Sequence, residues 1–115
     1  MIGWKPGLMI AVLVAGATLY TGCGTHQTIL QRASSGPYKD AVLLYQQACL
    51  TCHGSNLQGK IGPNLQHVGE KLGLQQITAQ IDNGGGPMPG YGPNHLNILS
   101  NEQIHELATW LETLK

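Results

Sequence analysis

The chain has 115 residues, with six Lys and Arg, six Asp and Glu, and a formal net charge of zero. That balance excludes the basic patch or high pI with which a nucleic-acid binder neutralises phosphates, so no nucleic-acid partner is expected. The length allows one domain, and with no Phe at all the core calls for a staple such as a disulfide, a metal or a bound group.

Residues 1–22 read as a secretory signal peptide: Lys5 gives the positive start, Leu8 to Tyr20 an apolar run, and Thr21-Gly22 a small pair before Cys23. The apolar run is shorter than the ~20 residues of a spanning helix. Cys23 after this small pair resembles the lipobox of bacterial lipoproteins, with Tyr20 where that pattern prefers Leu. The resemblance implies a lipidated Cys23 and a membrane-lipid contact through it; an uncleaved anchor helix over Ile2 to Gly22, or a plain signal cut elsewhere, is the alternative. Residues 24–36 are small and polar without a sustained period, and 23–36 is read as the lipidated Cys plus a flexible tether. A coil of 13 residues has an r.m.s. span of about 20 Å. The folded domain is expected over 37–115.

Pro37 suits the start of a helix, and Ala41, Tyr45, Ala48 and Cys52 recur at helical spacing on one face. That helix runs into Cys49-Leu50-Thr51-Cys52-His53. C-x-x-C-H reads as a c-type haem attachment site. On a helical turn, positions i, i+3 and i+4 share a face. Two thiols can then reach two vinyl groups of one porphyrin while His53 reaches the iron. A thioredoxin-like redox pair would sit near a βαβ pattern, which is missing here. A structural zinc would need four ligands; His67, His95 and His105 are available, but no second paired motif accompanies them.

Further along, Leu74, Ile77 and Ile81 predict a short amphipathic helix that stops at Asn83-Gly84. The block Gly84-Gly85-Gly86-Pro87-Met88-Pro89-Gly90 follows. With Met1 and Met9 in the signal, Met88 is the one thioether left after cleavage. A Gly/Pro loop is a poor place for core packing, which favours an axial-ligand role for Met88 over gap filling. His95, seven residues on, is its main rival. Tyr91 either covers the edge of the bound group, hydrogen-bonds a propionate, or lies on the surface. Ser100 with Gln103 reads as a capping box, opening a last helix with the stripe Ile104, Leu107, Ala108, Leu111 and Leu114.

Cys49 to His53, Gly62-Pro63-Asn64-Leu65, Met88 and the C-terminal helix occur in the order found in small class I cytochromes c. With the lipobox-like Cys23, the chain resembles the membrane-anchored lipoprotein cytochromes c of Bacillus-type bacteria. The resemblance implies an all-α class I cytochrome c fold, three to five short helices around one covalently attached haem c. It implies that the Pro63 carbonyl accepts the His53 N–H and that Leu65 packs on the haem. It also implies that the last helix crosses the first, with Trp110 against Ala41 and Tyr45; the family commonly has Gly in place of Ala41.

His/Met ligation leaves no free position on the iron and raises the potential. The expected function is one-electron transfer between a membrane respiratory reductase and a terminal oxidase, on the outer face of the bacterial cytoplasmic membrane, without enzymatic catalysis. The alternatives are a haem enzyme or gas sensor with an open sixth position, the electron-entry subunit of a larger oxidase or dehydrogenase, and a non-haem thiol redox protein.

Overall fold

The computed structural model describes residues 24–115, together with Gly3, Gly16 and Gly22. The signal-peptide reading of 1–22 and the lipidation of Cys23 lie outside the described residues. No helix among the described residues is long and apolar enough to cross a membrane.

Two of the helices, the first and the last, start at side-chain caps written in the sequence. In α1 (Ile29–Ser34), Thr28 and Gln31 form a reciprocal capping box: the Gln31 N–H donates to Thr28 Oγ1 at 3.2 Å, and the Thr28 N–H donates to Gln31 Oε1 at 2.9 Å. α2 (Lys39–Ala48) begins two residues after Pro37, with Asp40 in its first turn, where a negative charge favours the helix dipole. At Cys49 the backbone opens to φ −119°, and the chain restarts as a single turn, α3 (Leu50–His53). α4 (Val68–Lys71) is another single turn, and α5 (Leu74–Asn83) ends at Gly84, where φ is +73°, a conformation suited to Gly. α6 (Asn101–Glu112) opens on the predicted Ser100–Gln103 box. Among the described residues there is no strand, and the one ladder contact is an isolated bridge between Gly85 and Met88.

The fold is therefore all-α. The six helical segments among the described residues exceed the three to five expected, for two local reasons: the first apolar helix breaks at Cys49, and a helix forms inside the span read as tether. That tether reading is corrected for residues 29–34. Leu30 is buried, and the Ile29 N–H donates to Asn56 Oδ1 at 2.8 Å. A six-residue helix is too short to show a period, but its Thr28-x-x-Gln31 cap is legible.

The core forms where α6 packs against both α2 and α5, with α1 against α2 and α4 against α6. Ile104, Leu107, Ala108 and Leu111 are buried, as the stripe predicts. The Trp110 and Tyr45 rings meet edge to face at 5.8 Å between centroids, and Ala41 is fully buried beside them. The buried Tyr45 hydroxyl donates to the Gly54 carbonyl at 2.7 Å. α4 reaches the end of α6 through Gly69, whose N–H donates to the Leu114 carbonyl at 2.8 Å and whose missing Cβ would collide with the Glu112 carbonyl.

Candidate haem-binding site

The break at Cys49 sets the site. The Cys49 N–H still bonds back to Tyr45, and the Cys52 and His53 N–H groups bond to the Cys49 carbonyl at 3.2 and 2.9 Å. Cys49, Cys52 and His53 thereby project into one crevice of about 510 Å³, within the usual range for a small-molecule site. Leu65, Leu72, Ile77, Ile81 and Leu111 give it apolar walls.

Loop 54–65 folds back over the motif and fixes the imidazole. Gly54 and Gly59 have φ near +90°, and Leu57, fully buried, has φ +58°. Such a conformation costs a non-Gly residue about 1–2 kcal/mol, offset here by burial of the side chain. The Gly62 N–H donates to the Cys52 carbonyl at 2.8 Å, which brings the Gly62 Cα against the His53 ring. A Cβ there would lie 2.7 Å from His53 Cε1, so only Gly fits. His53 is buried. Its Nδ1–H donates to the Pro63 carbonyl at 2.9 Å; a carbonyl cannot donate, so Nδ1 carries the proton. The Nε2 lone pair is then free to bind a metal.

Met88 enters the same crevice from the glycine-rich loop. Gly85 and Met88 exchange N–H···O bonds at 3.0 and 3.1 Å, closing a tight turn in which Gly86 has φ +57°. Gly90 presses onto the Asn83 carbonyl, and the Tyr91 N–H donates to Ile81. Tyr91 lines the crevice half-buried, and its hydroxyl donates to the Ala48 carbonyl at 3.0 Å. The hydroxyl's proton here ties the Met88 loop to α2.

The three rival histidines do not line the crevice. His67 is exposed beside Glu70, with Nδ1 at 3.6 Å from the carboxylate. His95 is exposed, with Nε2 3.3 Å from Asn83 Oδ1. His105 lies on the exposed side of α6.

Burial, and secondarily the charge of Cys52, pushes the Cys49 thiol up to about 12. A buried neutral thiol is the reverse of the low-pKa cysteine that drives thiol–disulfide exchange. Among the described residues, no three His, Cys, Asp or Glu side chains are grouped to hold a bare metal ion. The donor set instead matches a haem c: two free thiols, one oriented imidazole nitrogen and one thioether around an apolar crevice. Lys71 supplies the crevice's one charged side chain, a cation suited to a propionate. The sequence marks Lys71 by no motif, and only the fold of α4 brings it there. A second concavity of about 570 Å³, bounded by α1 and the end of α6, holds none of the predicted site residues.

The family described as cytochrome c oxidase, cbb3-type, subunit III matches residues 36–111. The chain is 32% identical over 114 residues to cytochrome c-551 of Bacillus subtilis (strain 168), covering 92% of this chain and 96% of that protein. It is 29% identical over 119 residues to cytochrome c-550 of the same organism, covering 96% and 94%. It is also 28% identical over 113 residues to the cytochrome bc1 complex cytochrome c subunit of Mycobacterium tuberculosis (strain ATCC 25618 / H37Rv), covering 91% of this chain and 38% of that protein.

Proposed function

This chain belongs to the cytochrome c family, and from that premise we propose that it shuttles single electrons between membrane respiratory complexes, through a haem held by Cys49, Cys52, His53 and Met88. The haem c supplies a one-electron ferric/ferrous couple. Cys49 and Cys52 would hold it through thioether links, each thiol S–H adding across one vinyl double bond with nothing lost. His53 would bind the iron through Nε2, the nitrogen left free by the tautomer that the Pro63 carbonyl holds. Met88 would supply a second iron ligand through its sulfur. A thioether is a soft ligand that favours the ferrous state and raises the potential. Leu65, Ile77, Ile81 and Leu111 exclude water and disfavour the extra ferric charge. Lys71 would balance a propionate. With His53 and Met88 both holding the iron, no position would be left for a substrate, and the protein would act as a carrier rather than an enzyme.

The observation that carries this reading is the convergence of both thiols, the Pro63-oriented His53 and Met88 on one crevice. The test is an absorption spectrum of the purified holoprotein, oxidised and reduced, with carbon monoxide added to the reduced form. Sharp ferrous bands, a weak far-red sulfur-to-iron band in the ferric protein and no response to carbon monoxide are expected. A carbon monoxide shift in the wild type would overturn His/Met ligation in favour of an open-site enzyme or sensor. We place the domain on the outer face of the bacterial cytoplasmic membrane, held by lipid on Cys23. The likeness to a bc1-complex cytochrome c subunit supports a second reading, stable membership of a larger complex; co-purification with membrane complexes in mild detergent separates the two.

A further inference from the structure

We propose that Gln80 is a positioning residue for the sixth ligand, donating a hydrogen bond to the Met88 sulfur and so setting both the hold of that ligand and the potential of the iron. This inference rests on Met88 being the axial ligand. Gln80 sits in the last turn of α5, three residues after the buried Ile77 and beside the buried Ile81, and its side chain lines the crevice. Its Nε2 lies 3.6 Å from Met88 Sδ. Gly85 closes on it from the loop: a Cβ there would sit 3.2 Å from Gln80 Nε2. Amide and thioether are thus brought together by two separate backbone devices, the end of α5 and the Gly85–Met88 turn.

The chemistry gives that contact a purpose. A thioether sulfur has two lone pairs. Iron uses one, and an amide N–H can take the other without competing for the metal. The bond does two things. It restrains the Met88 side chain, which has three freely rotating bonds of its own, with its sulfur turned into the crevice. It also draws electron density from the sulfur, which weakens donation to ferric iron more than to ferrous iron and raises the potential. Gln80 is neutral at every pH, so it does this without adding a charge beside the iron.

The test uses the full holoprotein and three variants. Gln80→Leu keeps the bulk of the side chain and removes the donor. It should lower the midpoint potential, weaken the far-red sulfur-to-iron band and increase carbon monoxide uptake by the ferrous form on the order of fivefold, the effect of one ordinary neutral hydrogen bond. Gln80→Glu gives a signature that mere packing would not. Its protonated carboxyl donates to the sulfur and its ionised form cannot, so the band should become pH-dependent through the carboxyl range while the wild-type band does not. Met88→Ala is the control, and it should abolish the band and open the iron. If the wild type has the band and both Gln80 variants keep its potential, band and gas response, this inference fails while Met88 ligation stands. If the wild type lacks the band, or Met88→Ala retains it, the ligand assignment falls and this inference falls with it.

Discussion

Replacing Tyr45 with Phe removes one oxygen from the core and keeps the ring that meets Trp110 edge to face. The lost group is the hydroxyl that donates to the Gly54 carbonyl at 2.7 Å. That carbonyl keeps a second partner, the Leu57 N–H at 3.2 Å. The cost is therefore that of one net hydrogen bond, about 1 kcal/mol, below the ~3 kcal/mol upper figure for an orphaned buried acceptor. The pH dependence is more diagnostic. Burial, and secondarily the charge of Cys49, raises the Tyr45 hydroxyl above the usual phenol range. With the haem attached, the Cys49 sulfur has no proton to lose, and burial remains as the cause. A raised folded-state value means that the unfolded chain gives up this proton first, so stability is full below about pH 10 and falls as pH rises above it. One proton costs the wild type about 1.4 kcal/mol by pH 11, whereas the phenyl ring of the variant has no proton to release. The expected outcome is an inversion: the wild type is about 1 kcal/mol more stable at pH 7 and slightly less stable than the variant at pH 11. Guanidinium unfolding followed by far-UV circular dichroism at both pH values reads this directly. A stability gap that is the same at both pH values would refute the burial argument, and no gap at pH 7 would refute the hydrogen bond.

Gly62→Ala places a Cβ 2.7 Å from His53 Cε1 on a backbone pinned to Cys52; the His53–Pro63 bond should be lost, with a lower yield of haem-loaded protein and a changed ferric spectrum. Gly69→Ala drives a Cβ into the Glu112 carbonyl and should cost about 1–3 kcal/mol of stability by overpacking, read as a lower Tm with an unchanged haem spectrum. Asn56→Ala removes the acceptor of the Ile29 N–H and should speed amide exchange across 29–34 while costing about 1 kcal/mol globally. Cys23→Ala should move the protein from membrane to supernatant and leave the haem spectrum intact; retention in the membrane would point to an uncleaved anchor helix.

Much of the fold is legible because its signals are local. The Ser100–Gln103 cap, the α6 stripe and the stop at Gly84 each lie within a few residues of one another in the chain. The C-x-x-C-H run and the Gly/Pro-framed Met88 are legible as chemistry for the same reason. What the sequence conceals depends on approach across the fold. The Tyr91 hydroxyl finds the Ala48 carbonyl across 43 residues, and no periodicity encodes that. The fit of Gly62 against the His53 ring, the left-handed Leu57 and the arrival of Lys71 and Gln80 in the crevice are consequences of closure. The break at Cys49 lies inside an unbroken helical pattern, so spacing alone carries the helix through it.

The capped α1 changes what an anchor at Cys23 would do. A free coil over 24–36 would let the domain wander about 20 Å from its attachment point. With α1 seated on α2 and the Ile29 N–H held by Asn56, the span without regular structure shrinks to residues 24–28. Five residues reach at most about 18 Å even when fully extended, and their r.m.s. span is about 12 Å. A domain on so short a leash trades reach for orientation, because α1 ties the leash to a fixed patch of its surface. Asn56 lies three residues after His53, and its carbonyl accepts the Gln66 side-chain amide at 3.0 Å. The same loop that orients the imidazole therefore receives the strap. An electron partner in the membrane plane would meet this domain with its presentation already restricted. Loosening α1 should then change the rate of membrane-bound electron transfer while leaving the spectrum and the potential of the haem where they were.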